Sequence, residues 1–214
     1  MAKSPSGDSI ASLRSRWGTV KRQRLLNKLI GQRCFPGFFT EQDEAEEDPT
    51  LIKDLRGANL SARELHDILL MNADMRWVDF TGSRVQGPFQ HTNLAHADFT
   101  DARLTACRFW KAKLVNCNFE RATLEGGSFE GSNLFAASFR DATLTQLRFD
   151  ACDLTSAVFE GARLQGCVLR GVKLSESDRE FWARFGADEC RLEEVLWCEG
   201  DEAREEGRGE MVAA

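Results

Sequence analysis

No stretch of the 214-residue sequence approaches 18 consecutive apolar residues, and this excludes a membrane-spanning helix from the sequence pattern. The first basic residues are not followed by an apolar core of about 7–15 residues, so we expect no signal peptide. The sequence also has no glycine-rich phosphate loop and no nucleophile motif. We therefore expect no enzymatic activity.

Excess charge of one sign is also missing from most of the chain. The net charge is −6, which argues against a broadly basic nucleic-acid-binding protein. Residues 51–176 carry 15 basic and 15 acidic side chains, whereas residues 177–214 carry 5 basic and 12 acidic ones. The central part of the chain is thus neutral, and the negative charge lies in the C-terminal tail.

A repeat of five residues runs from Asn59 to Ser175. Each block holds a small residue, a polar or variable residue, a central Leu or Phe, and two more polar or small residues. Neither the 3.6-residue period of a helix nor the 2-residue period of a strand gives a strict period of five. Two inward and three outward positions per block account for it.

These blocks, of which residues 162–166 (Ala-Arg-Leu-Gln-Gly) are one, resemble the pentapeptide-repeat family over about 24 blocks, or some 55% of the chain. The resemblance implies an all-β solenoid, a right-handed quadrilateral β-helix of about six coils with helical N- and C-terminal caps. Four blocks make one coil. At a strand spacing of about 4.8 Å, the rod would be roughly 29 Å long.

In that geometry residues 20 apart stack, and the central residues alternate between Phe and Leu through most of the repeat. This predicts two opposing walls of Phe and two of Leu, packed as ladders of like side chains. Leu147 takes a position otherwise held by small residues and should crowd the core or bulge the wall. The register slips by one residue between Val85 and Phe89, where Gly87 and Pro88 predict a kink or a shortened turn.

The seven cysteines are an odd number without the spacing of a disulfide framework, so we interpret them as reduced thiols of a cytoplasmic protein. Four of them take the small inward position, where a thiol acts as a compact apolar group. Cys107 and Cys167 share a wall, but three coils, or about 14 Å, would separate them. The three histidines are isolated. We predict no metal site, no cofactor and no catalytic residue.

The chain divides into residues 1–50, the repeat of residues 51–176, and residues 177–214. Ser9 can cap an amphipathic helix over residues 10–30, whose basic residues lie mainly off its apolar face. Such a helix would cover the open end of the rod, because repeat arrays need capped ends. The alternatives to a cap are a partner-binding segment or a membrane-surface segment, and an organelle transit peptide is a lesser one.

The C-terminal unit begins with Ser-Asp-Arg-Glu at residues 177–180, which is typical of a capping box. We expect a helical cap there that includes Phe181 and Trp182. The apolar residues within 190–197 predict a second helix, and the polar, glycine-containing composition of the tail that follows predicts disorder. Near the start of the repeat, residues 61–64 could begin a short helix that runs to Met71.

Outward columns supply the candidates for binding. An apolar column on one Leu wall can mark a contact surface, or can pack against the chain's own N-terminal helix. Trp77 and Trp110 should also point outward. A further column, formed by Glu120, Arg140 and Glu160, alternates in charge, so its side chains should pair locally. The candidate interaction surface combines wall residues with the apolar face of the N-terminal helix: Ala95, Val115, Phe135, Trp110, Trp17 and Leu13.

We therefore predict a non-enzymatic scaffold or protein-interaction module with an unidentified protein partner, and homodimerisation through a terminal helix is one form of assembly. The resemblance implies an alternative, because some pentapeptide-repeat proteins imitate duplex DNA and protect type II topoisomerases. The neutral repeat lacks the acidic stripe that such mimicry needs, and we expect no direct nucleic-acid binding. A membrane-associated effector, led by the N-terminal helix, is a second alternative.

Overall fold

The computed structural model describes residues 9–18, 54–66, 70–185 and 190–199. The repeat forms a parallel β-solenoid of about six coils, as predicted. Each wall of the solenoid is a short extended segment paired in parallel with the equivalent segment of the next coil. Between walls the chain turns, and many of these turns contain a residue with positive φ.

Regular strands are short because each wall of the solenoid offers only two to four residues to the ladder. The described elements, in chain order, are α1 (Ile10–Arg16), β1 (Glu64–Leu65), β2 (Arg84–Val85), β3 (Arg103–Thr105), β4 (Thr123–Glu125), β5 (Thr143–Thr145), β6 (Arg148–Asp150), β7 (Arg163–Gln165), β8 (Cys167–Arg170), β9 (Lys173–Ser175), a 3-10 helix (Glu176–Asp178), α2 (Arg179–Trp182), β10 (Cys190–Glu193) and β11 (Leu196–Cys198). One wall forms a six-stranded parallel sheet in the order β1-β2-β3-β4-β5-β7.

Two walls are lined by Phe and two by Leu, and we name each after one of its central residues. The Phe99 wall and the Phe109 wall face each other, with the Leu104 wall and the Leu94 wall between them. Their central side chains are buried. The Phe99 wall contains Phe80, Phe99, Phe119, Phe139 and Phe159; the Leu104 wall Leu104, Leu124, Leu144 and Leu164; the Phe109 wall Phe89, Phe109, Phe129 and Phe149; and the Leu94 wall Leu94, Leu114, Leu134 and Leu154.

The two aromatic ladders confirm the predicted stacking. Within the Phe99 wall, Phe119 and Phe139 lie 4.9 Å apart and nearly parallel. Across the core, Phe139 meets Phe129 and Phe149 edge-on at 6.4 and 6.3 Å. Stacked contacts along each ladder and edge contacts between ladders are both favourable aromatic geometries. The narrow core is thus filled by one continuous set of rings.

The register slip is confirmed at the predicted place. Most neighbouring coils pair residues 20 apart, as Leu104 pairs with Leu124. Across Gly87 and Pro88 the partners are 19 apart, as Val85 pairs with Leu104. The turn therefore loses one residue, while the stacking of central residues continues on both sides.

Leu147 is buried without a bulge being needed, so the expected crowding is wrong. The residue one coil earlier at this position is Gly127, and a Cβ built on Gly127 would lie 3.5 Å from Leu147 Cδ2. Leu147 thus packs against the glycine of the preceding coil, and even a methyl group at position 127 would be at ordinary contact distance from it. A small void of about 10 Å³ remains beside Gly127 and Leu147.

Helix α1 covers the start of the solenoid. Ser9 caps it as predicted, because its Oγ accepts a hydrogen bond from the Ser12 amide at 3.1 Å. Trp17 Nε1 donates to the Arg56 carbonyl at 2.8 Å. Arg16 forms an ion pair of 2.7 Å with Asp54. Although burial alone would raise the pKa of Asp54, hydrogen bonds from Arg16 and Arg56 hold this pKa well below its usual range.

The predicted helix over residues 10–30 ends earlier in the described part of the chain. Helix α1 stops at Arg16, and its last turn closes where the Trp17 amide donates to the Arg14 carbonyl and the Gly18 amide donates to the Ser15 carbonyl. Residues 19–30 lie outside the described residues. The predicted helix from residue 61 to Met71 is also wrong where the structure describes it, because Ala62 has a φ of 54° and β1 follows.

At the C-terminal end, a 3-10 helix and α2 follow the last repeat, so a helical cap is present but short. The predicted capping box is wrong, because Asp178 precedes α2 and makes no side-chain cap hydrogen bond. The predicted helix over residues 190–197 is wrong as well. That segment forms β10 and β11, which pair with β8 and β9.

Strands β10 and β11 add two walls of a further coil. Leu192 pairs with Leu169, and Trp197 pairs with Leu174, each 23 residues apart. The 3-10 helix and α2 lie in the chain between β9 and β10, and this coil is three residues longer than most. Backbone pairing decides the outcome, since a helix at residues 190–197 would leave the ladder groups of β8 and β9 unpaired.

Candidate interaction surfaces

The interior offers no room for catalysis, because the described core is filled by the central side chains and small inward residues. Within the described ranges, no group of three or more His, Cys, Asp and Glu side chains could hold a metal ion. Among the same residues, no helix is both long enough and apolar enough to cross a membrane. Any site in this part of the chain therefore lies on the outer walls or at the ends.

The inward cysteines are chemically protected. Burial raises the pKa of Cys107 and of Cys152 to about 12, and it raises the pKa of Cys117 further. A thiol that stays protonated is a poor nucleophile and a poor metal ligand. These cysteines serve as small apolar core residues, in line with their repeat position.

Alkylation should therefore separate the thiols of the native protein. We expect iodoacetamide to modify Cys198, which is only half-buried, well before Cys107, Cys117 or Cys152. Site-resolved mass spectrometry over a time course measures this order, and the same course in denaturant should abolish it. Equal rates for Cys198 and Cys117 in the native protein would contradict the burial of Cys117.

The predicted apolar column on the Leu94 wall is assembled as expected but is only half-exposed. Ala95, Val115 and Phe135 occupy equivalent positions in successive coils, since the amides of His96 and Asn116 donate to the carbonyls of Val115 and Phe135. All three side chains are half-buried. A partner could therefore contact only part of each of these side chains.

Leu13 and Trp17 do not belong to an exposed surface. Each is only 2% exposed, because both are buried where α1 lies against the first coil. The backbone of Leu13 approaches Gly57 so closely that a Cβ on Gly57 would lie 3.0 Å from it. For these two residues the predicted contact surface is wrong, and the alternative of a cap over the rod describes them.

Trp110 is exposed on the Phe109 wall, with 36% of its surface accessible. The His91 ring meets it edge-on at 4.6 Å, and Lys111 Nζ lies 4.7 Å from its ring centre. Met71, which is 40% exposed, lies on the same outward column two coils earlier. We call Met71, His91, Arg108, Trp110 and Lys111 the wall patch.

Trp77 behaves differently from the expectation that it points into solvent. It is buried, and its ring stacks on His96 at 5.5 Å with the planes nearly parallel. Burial, followed by the positive charge of Arg76, lowers the pKa of His96 below its usual value. The pair thus favours a neutral His96 and covers its part of the Leu94 wall.

Surface charge is neutralised locally, although not in the predicted column order. Arg140 pairs with Glu160 at 2.8 Å, whereas Glu120 pairs with its neighbour Arg121. Arg121 also binds Asp101 at 2.8 Å. Among the described residues Arg108 makes no ion pair, so the wall patch keeps an uncompensated positive charge.

A cleft of about 540 Å³ opens at the C-terminal end of the Phe99 wall. Sequence reasoning missed it, because the repeat pattern simply ends there. The one available signal is Val158, an exposed apolar residue at a position that is polar in the preceding coils. The cleft is lined by residues of the last repeat, the 3-10 helix and α2, among them Val158, Phe159, Glu160, Asp178, Trp182 and Arg184.

Parts of this chain are similar to known proteins. The family described as pentapeptide repeat region matches residues 102–178. A search of curated proteins gives no match. Among solved structures, a pentapeptide repeat protein from the Arabidopsis thaliana thylakoid lumen is 25% identical, with 50% of this chain and 71% of that chain covered and a TM-score of 0.32.

Two further structures are similar to this chain. QnrB1, a plasmid-mediated fluoroquinolone resistance protein, is 14% identical over 75% of this chain and 97% of its own, with a TM-score of 0.38. Rfr23 from the cyanobacterium Cyanothece 51142 is 18% identical over 69% and 89%, with a TM-score of 0.32. Residues 102–178 are therefore a pentapeptide repeat region, and they lie within the four-walled coils described above.

Proposed function

We propose that this protein is a non-enzymatic interaction module that presents the wall patch to a protein partner in the cytoplasm. The observation that carries the proposal is the exposed ring of Trp110, held between His91 and Lys111 on a rigid wall. A tryptophan fixed in this way loses little side-chain entropy on binding. Tryptophan and arginine are also the residues that most often dominate binding energy at protein interfaces.

The surroundings of Trp110 favour an acidic or polar partner with an apolar anchor point. Arg108 and Trp110 lie on either side of buried Phe109, so both point outward from the same segment. Met71 extends the apolar part along the column. The exposed Glu130 in the next coil limits the positive area on one side. A partner would therefore place its acidic groups near Arg108 rather than near Glu130.

The two alternatives have less support. DNA mimicry needs ordered acidic side chains facing solvent, but several wall aspartates accept hydrogen bonds in their own turns, as Asp98 does from Thr100. Membrane association through the N-terminal helix needs a free apolar face. In the described part of that helix, Leu13 and Trp17 are buried against the rod.

The test is a quantitative affinity capture with the full chain and its Trp110→Glu variant. We expect at least one protein whose recovery falls about tenfold or more with Trp110→Glu, because loss of an interface tryptophan costs about 2 kcal/mol or more. Leu196→Glu is the matched control, since Leu196 is also an exposed apolar residue but lies on β11. Recovery should be unchanged with this control.

If both variants have the melting temperature of the wild-type chain, neither substitution disturbs the rod. If every protein recovered with the wild-type chain is recovered equally with Trp110→Glu, the wall patch is not the binding surface. A protein lost with both variants would also count against it.

A further inference from the structure

The Phe99 wall is held together by a repeated set of three backbone hydrogen bonds between coils. In one example, the Val158 amide donates to the Ala137 carbonyl at 2.9 Å, and the Phe139 amide donates to the Val158 carbonyl at 2.7 Å. The Asp141 amide then donates to the Glu160 carbonyl at 2.9 Å. The same three bonds join each earlier pair of coils along this wall, from the pair that begins at Ala58 onward. Each coil therefore offers one acceptor and two donors to the next.

At the last repeat these three groups have no backbone partner among the described residues. They are the Ala157 carbonyl, the Phe159 amide and the Gly161 amide. The chain does not supply a further extended segment here, because the 3-10 helix and α2 follow β9 instead. All three residues line the 540 Å³ cleft. An unpaired sheet edge thus lines a concave site.

Open edges of this kind bind extended peptides, which add a strand through main-chain hydrogen bonds. The volume of the cleft is within the range of sites that hold small ligands or short segments. On two of the other three walls, β8 and β9 are already paired with β10 and β11. On the fourth wall, β7 also lies at the edge of its described sheet, but no residue of β7 lines the cleft. Among the described residues, the Phe99 wall is therefore the one whose open edge lies beneath the cleft.

We propose that this cleft, the end groove, binds an extended segment of a partner protein as an additional parallel strand on the Phe99 wall. The first residue of the segment donates its amide to Ala157 and accepts from Phe159. The third residue accepts from Gly161. This proposal rests on the proposed interaction role, but it uses a surface at the end of the rod rather than the wall patch.

The side chains around the open edge specify the three residues. The first would stack outside Val158, which is exposed and apolar, so an apolar side chain fits. The second would point inward, where Trp182 already covers Phe159 at a ring distance of 4.8 Å, so only a small residue fits. The third would lie over Glu160, whose side chain is 70% exposed, so a basic residue fits.

Charge around the groove supports the basic third position. Its lining contains two carboxylates, Glu160 and Asp178, and one guanidinium, Arg184. In addition, Arg140 and Glu160 already alternate along the outer column in which the third residue would lie. The occupant is therefore an apolar–small–basic segment such as Val-Gly-Arg.

The test measures binding of the labelled peptide acetyl-Ser-Ser-Val-Gly-Arg-Ser-Ser-amide to the full chain by fluorescence polarisation. We expect saturable binding below about 1 mM, which corresponds to a weak but specific contact. Replacement of arginine by glutamate in the peptide should weaken binding about tenfold. The Glu160→Arg protein should reverse this preference, whereas Glu130→Arg, a charge reversal on the Phe109 wall, should leave it unchanged.

Backbone pairing has its own readout. N-methylation of the valine nitrogen removes the donor to Ala157 and should abolish peptide binding. Hydrogen exchange, followed by NMR, should show that the peptide slows the amides of Phe159 and Gly161. The amides of Phe139 and Asp141, which are already bonded, should not change.

Three results would overturn the proposal: no binding up to about 1 mM, a peptide preference that Glu160→Arg does not alter, or full protection of the Phe159 and Gly161 amides before peptide is added. The last would mean that the chain covers its own edge. The Trp110→Glu protein should bind the peptide like the wild type. A failure of the wall patch and a failure of the end groove are thereby distinguished.

Discussion

The Ala137→Arg variant should lose about 3–5 kcal/mol of unfolding free energy or fail to fold, because a buried charge without a partner carries a penalty of that size. Ala137 is fully buried, and its amide bonds to the Leu134 carbonyl within a turn of the coil. An arginine there would face the aromatic ladders rather than solvent. Chemical denaturation followed by circular dichroism measures the loss.

Ala136→Arg is the matched control, since it adds the same charge one residue earlier. Ala136 is only half-buried and has a φ of 54°, and Arg121 occupies the same kind of turn position with a φ of 55°. We expect a change within about 0.5 kcal/mol. Equal stabilities of Ala137→Arg and Ala136→Arg would mean that the inward and outward positions are assigned wrongly.

The Phe139→Ala variant should lose about 3–5 kcal/mol, because it removes a large ring from a core that cannot collapse onto the space. Phe139 stacks on Phe119 and on Phe159, each at 4.9 Å. Its edge contacts join this ladder to the opposite one. The truncation therefore interrupts both ladders at once, and urea denaturation with a constant m-value would report it.

Phe135→Ala makes the same chemical change on the outer side of the Leu94 wall. Since Phe135 is half-buried, its truncation should cost less than half as much as that of Phe139. The difference between the two variants isolates the contribution of the ladder from that of phenylalanine in general. If both variants lose the same free energy, the aromatic ladder does not hold the rod together.

The sequence predicted the solenoid well because its core obeys a simple rule. Inward positions recur at fixed spacing, so the paired Leu104 and Leu124 could be matched from numbering alone. The one-residue slip at Gly87 and Pro88 was visible for the same reason. Leu147 was misjudged because its fit is decided by its neighbours, such as Gly127 in the preceding coil, and a single position does not reveal these contacts.

The ends were predicted less well because other forces decide their structure. Residues 190–197 have the apolar spacing of a helix, but the open edges of β8 and β9 require strand partners. Leu13 and Trp17 form an apolar face that suits either a partner or the rod, and only the contact with the first coil decides between them. The end groove follows from an interruption of pairing, which leaves little trace in composition.

The shortened turn at Gly87 and Pro88 changes the phase of the chain as well as its length. With a constant step of 20, Trp77 would lie beside Ala97, an inward residue. With the step of 19, it lies beside His96, and the two outward rings stack at 5.5 Å. Because the turn is one residue short, outward residues of the coil before it still lie beside outward residues of the coil after it. A single residue inserted in that turn would restore the step of 20 with the same side chains paired, whereas a second deletion would put the two halves of the rod out of phase along all four walls.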